Sequence, residues 1–162
     1  MIRHMYSTLV VLHILAAVTW IGGMIFLSLV LAPLVRGRKA VPEFIALFRS
    51  AALRFRPIVW VAIAVLLITG PMLLSLRGIH VTSLASWPGV VTVKLMLVAL
   101  LLFLTLLHDL VFGPQVGRVS AIPDSHRTSG ERIVFKTARW LPRVSLLIAL
   151  AVMIAAAVLA RS

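Results

Sequence analysis

Imidazole nitrogen and thioether sulfur are the donors through which a protein without thiolates holds a soft metal ion. This chain of 162 residues has five His, six Met and no Cys. The missing Cys removes disulfides, thiolate metal sites, thiol nucleophiles and iron–sulfur clusters together. Inside its long apolar stretches the ionisable residues are few: His13, Lys94 and His108, with Asp109 beside the last. Thr69, Thr105 and Ser145 are the uncharged polar residues singled out there. A polar group at membrane depth is costly, so each one marks a functional hypothesis.

Depth sorts these residues. His13 lies six residues inside its apolar run and Lys94 five inside another, roughly 8–9 Å below the same boundary at 1.5 Å per residue. His108 is fourteen residues beyond Lys94, about 21 Å down the helix, so one compact site cannot hold both histidines. A soft copper site in the outer layer would draw on His13, Met72 and Met153, with His80 and His4 at its mouth. A porphyrin is the alternative, with His13 as axial ligand and Lys94 as second ligand or propionate partner. Trp20 lies too deep for an interfacial aromatic belt and shares the His13 face, and His108 would serve as a proton relay at the far side. An ordinary packing role competes with each: His13 hydrogen-bonded to a carbonyl, Lys94 snorkelling along its stem, His108–Asp109 as a helix end.

The elements that must position these groups follow from composition. Sixteen Lys+Arg against four Asp+Glu give a net charge of +12, yet 62% of residues are hydrophobic and only 12% charged. A soluble domain is about half apolar and about a quarter charged. The basic residues are segregated into blocks, which excludes a nucleic-acid-binding tail, and the apolar runs are too many for one soluble core. Those runs are 7–35, 57–76, 89–112 and 142–160, each long enough to cross ~30 Å of hydrocarbon. Open strands cannot cross a bilayer. The expectation is an all-α integral membrane four-helix bundle forming a single domain, with no fixed-period internal repeat.

Twelve basic residues lie in or beside the segments 36–56 and 113–143, against Arg3, Arg77 and Arg161 on the other side. By the positive-inside rule both termini face outward and the two basic loops face the cytoplasm and its anionic lipid. In the first loop Phe44, Leu47, Phe48, Ala51 and Phe55 recur at helical spacing after Pro42, which predicts a short amphipathic interfacial helix leading into the second span. The stretch Ile122–Glu131 reads as a mobile loop. At Thr69–Gly70–Pro71 the proline frees a carbonyl that the threonine hydroxyl is placed to satisfy.

The string His13-Ile-Leu-Ala-Ala-Val-Thr-Trp20-Ile-Gly22-Gly23-Met-Ile-Phe26, running on to Ala32-Pro33, resembles the first helix of the CopD domain of bacterial copper-handling systems. Arg54-Phe55-Arg56 with Thr69-Gly70 resembles that family's second helix, and Trp87 to Lys94-Leu95 and His108 its third. The chain is more distantly similar to HemJ-type protoporphyrinogen oxidases, where His13, Lys94 and His108 match haem-binding roles. The resemblance implies a bacterial inner-membrane protein of copper uptake or tolerance. Its partners would be the lipid bilayer, the metal ion, a periplasmic copper carrier and, for a channel, further copies of itself. A haem b-binding redox protein or enzyme is the alternative, and a purely structural assembly subunit the third.

Overall fold

The computed structural model describes residues 2–34, 42–79, 87–119, 126 and 128–161. Among them the regular structure is helical, and four helices are long and apolar enough to cross a bilayer. Helix α1 runs from Ile2–Ile25 through a π-helical stretch, Phe26–Leu31, into Ala32–Leu34. Helix α2 spans Pro42–Leu76. Helix α3 runs from Gly89–Leu107 through a second π-helical stretch, His108–Phe112, into Gly113–Val119. Helix α4 spans Ser129–Arg161. His80, and residues 122–125 and 127 of the expected loop, lie outside the described residues.

The chain groups into two compact units, Met1–Trp87 and Pro88–Ser162. In the first, α1 packs along α2; in the second, α3 packs along α4. Each unit is a helical hairpin. Large apolar side chains remain exposed along every helix, among them Leu15, Val61, Phe103 and Ile154. That is the expected surface for a chain whose solvent is acyl chain, because lipid tails are as apolar as leucine.

Two helix ends show why the chain turns where it does. Gly78 (φ +74°) closes α2 in a left-handed conformation. There the Ile79 amide donates to the Leu74 carbonyl and the Gly78 amide to Ser75, both at 3.0 Å, which is a Schellman cap. At the start of α4 the Thr128 amide and hydroxyl donate to Glu131 Oε2 at 2.7 and 2.9 Å. The Glu131 amide donates back to the Thr128 hydroxyl at 3.4 Å, a reciprocal capping box. The end of the expected loop at Glu131 is therefore helix.

The amphipathic stretch after Pro42 is not a separate element. It is continuous with the second span in one helix of 35 residues, about 52 Å long at 1.5 Å per residue. Pro57 lies inside it, where it removes one backbone bond; the turns on either side continue the helix. Helix α4, 33 residues long, likewise begins well before Pro142. Both exceed the ~30 Å hydrocarbon thickness, so about 20 Å of each projects past it.

A close approach locks the first hairpin. The ring of Phe55 on α2 occupies the space into which a Cβ on Gly23 of α1 would project. A Cβ on Gly22 would meet nothing within 4 Å, so only one glycine of the pair is required by packing.

Candidate functional site

On α1 the residues His13, Ala16, Ala17 and Trp20 fall at helical spacing on one face. Ala16 and Trp20 are buried and His13 is half-buried. The small alanines let α2 come close, and the residues it presents include the buried Thr69. His13 Nδ1 lies 2.8 Å from Thr69 Oγ1, and the Thr69 hydroxyl lies 2.7 Å from the Val65 carbonyl.

The direction of this chain decides the chemistry. A carbonyl oxygen only accepts, so the single hydroxyl proton of Thr69 goes to Val65. The Thr69 oxygen must then accept, and His13 Nδ1 must carry the hydrogen. A neutral imidazole has one N–H and one lone pair, so the lone pair sits on Nε2. This is the arrangement in which an outer hydrogen bond fixes the tautomer of a ligating histidine. The Thr69 bond also departs from expectation. Its hydroxyl serves the carbonyl four residues back, within reach of a helical threonine side chain, rather than the Leu67 carbonyl that Pro71 leaves without its amide.

Gly70 extends this floor. A Cβ built there would stand 3.6 Å from His13 Cε1, so the imidazole lies against the backbone at Thr69–Gly70. Trp20, two turns along α1 from His13, is 3% exposed, and its Nε1 has no hydrogen-bond partner among the described residues. A buried donor in that condition costs about 1–3 kcal/mol. Met72, one turn beyond Thr69, is 44% exposed, and His4 is exposed on the first turns of α1.

The remaining expected site residues belong to the second unit. Lys94 is half-buried on α3. His108 is exposed and opens the π-helical stretch. Met153 on α4 is 49% exposed. Thr105 uses its hydroxyl on the Leu101 carbonyl at 2.8 Å, which settles its polarity locally. Among the described residues no group of three or more His, Asp or Glu side chains is placed to hold a metal ion. The metal-donor residues that the structure describes on the first hairpin include one oriented imidazole, His13, and the thioether of Met72 one turn from its partner Thr69.

Thr69 is the partner of His13 that the sequence reading did not pair with it. It stood among the polar residues at the level of His13, yet nothing in the string Thr69-Gly70-Pro71 identifies its partner across the hairpin.

A family model described as copper resistance protein D matches residues 49–159. The match covers more than half of the chain, and the protein belongs to that family. The matched residues begin on α2, so the first-helix string from His13 to Phe26 lies outside them. The resemblance to HemJ-type oxidases gains no support from this comparison. No curated protein and no solved structure matches the chain.

Proposed function

We propose that this member of the copper resistance protein D family handles copper as its cargo at the membrane, with His13 as the ligating residue of the first hairpin. The observation that carries the reading is the Thr69 relay, which leaves the imidazole lone pair on Nε2. Cu(I) accepts nitrogen and thioether donors without thiolate, and Met72 stands one turn from Thr69 on the same hairpin. The segregation of basic residues supports an inner-membrane placement with both termini outside, so that His13 meets copper arriving from the periplasmic side. Delivery by a periplasmic carrier and assembly of several copies would suit a chain this small, and uptake or tolerance is the physiological outcome.

A titration of the detergent-purified protein with Cu(I) against a competing chelator tests this. Wild type should take up about one equivalent, His13→Ala none, and Thr69→Ser the wild-type amount. A Soret band in the protein as purified, lost in His13→Ala, would replace copper with haem b as the ligand of this residue.

A further inference from the structure

Helix α4 has two faces that part cleanly. Leu141, Ser145 and Ala149, each one turn beyond the last, are buried, and α4 packs along α3. On the opposite side Ile133, Trp140, Leu147 and Ile154 recur every seventh residue, and the last three are 55%, 67% and 67% exposed. Seven residues are close to two full turns, so these four form one outward stripe. Arg132, Lys136 and Arg143 are exposed on the same side. The stripe is therefore basic over its first turns and apolar from Val144 to Val158.

The change of character falls at the edge of the hydrocarbon. The apolar run 142–160 is about 28 Å long, close to the ~30 Å it must cross, which sets Trp140 and Arg143 at its boundary. Indole rings favour that level. The Cα–Cβ bonds of a helix tilt toward its N-terminus, and the Arg143 guanidinium lies that way, 4.7 Å from the centre of the Trp140 ring. The charge is thus carried back from the apolar run toward the headgroups. Glu131 is the only carboxylate of α4; it falls off the stripe, and Thr128 engages its Oε2 in the cap.

We propose that this stripe binds one anionic phospholipid, with the phosphate held by Lys136 and Arg143 at the level of Trp140 and an acyl chain lying along Val144, Leu147 and Ile154. Lys136 and Arg143 stand about 6 and about 4.5 Å along the axis on either side of Trp140, so both long side chains reach one headgroup. The guanidinium fork matches two phosphate oxygens, the ammonium adds a point charge, and the exposed indole supplies an N–H donor. A zwitterionic headgroup would bring a further cation against Arg132 and Lys136, whereas a net-negative one brings none. A free phosphate or an acidic peptide would leave the apolar continuation of the stripe unused. The lipid is distinct from the copper cargo, and its test needs no metal.

The full chain in a non-ionic detergent is titrated with dioleoylphosphatidylglycerol and, separately, with dioleoylphosphatidylcholine, and bound lipid is counted by native mass spectrometry. Wild type should hold one phosphatidylglycerol about tenfold more tightly than phosphatidylcholine, the scale of two cations near a headgroup. Lys136→Gln/Arg143→Gln should lose that preference. Arg49→Gln/Arg54→Gln, which removes the same charge from exposed positions on α2, should keep it. Size-exclusion elution at the wild-type position verifies folding. Arg143→Gln alone, expected to lose about threefold, stands in for a double variant that elutes elsewhere. Equal affinity of wild type for the two lipids overturns the site, and so does an equal loss in the two double variants, which would reduce the preference to net charge. Glycerophosphoglycerol, the headgroup without its chains, should not displace the bound lipid; displacement at equal concentration would make this a phosphate site and overturn the phospholipid.

Discussion

The ring of Phe55 fills the volume that a side chain at position 23 would need, so α1 and α2 meet at Gly23 with no room for a methyl group. Gly23→Ala should therefore force the ring or the helices apart, at about 1–3 kcal/mol for an overpacked contact. Gly22→Ala meets nothing and should be neutral or stabilising by up to ~1 kcal/mol through helix propensity. Thermal unfolding in detergent of the two variants side by side provides the measurement, and equal Tm values would refute the close approach.

Thr69 should separate geometry from volume. Thr69→Val keeps the shape but removes the oxygen that orients His13, so copper affinity should fall about 10–100-fold, the usual effect of losing an outer-shell partner. Stability should fall by only about 0.6–1.7 kcal/mol, the scale of hydrogen bonds between membrane helices. Thr69→Ser, which keeps the hydroxyl, should restore the affinity. A Val variant with wild-type affinity would leave the imidazole without need of its relay.

Trp20 offers the opposite sign. Phenylalanine at this position removes the buried Nε1 that lacks a partner among the described residues. In the metal-free protein Trp20→Phe should raise stability or leave it unchanged, by up to ~1 kcal/mol, offset by the smaller ring. A loss well beyond that, read from the same unfolding curves, would mean that the indole donor holds an acceptor needed by the fold.

The capping box at the start of α4 is testable away from the membrane-buried residues. Thr128→Ala removes the hydroxyl that both gives to and takes from Glu131, and should cost about 1 kcal/mol. Amide exchange over the first turn of α4 should accelerate. Unchanged exchange there would show that α4 starts independently of this cap.

The four-helix plan was legible because it rests on the strongest signal a sequence has, apolar runs long enough to cross a bilayer with charge confined between them. Helix boundaries were less so. The stretches 42–56 and 129–141 are too polar to register as spans, yet nothing in them stops a helix, and one proline near each junction is a local defect rather than an end. The common level of His13 and Thr69 could be read from residue counting, whereas their hydrogen bond depends on how α1 and α2 turn about their axes. Hydropathy does not report that rotation. The notch at Gly23 was hidden for a related reason: two adjacent glycines look alike until a partner ring shows which one is crowded. The repeated π-helical stretches have no composition of their own and appear only in coordinates.

The unbroken course of α2 gives its 35 residues the character of a lever. Thr69 lies about 18 Å along the axis from Pro57, so a pivot of ~10° at that proline would sweep the hydroxyl through about 3 Å. That displacement exceeds the length of the bond to His13. The basic residues near the start of α2 and the threonine bonded to His13 thus share one unbroken backbone.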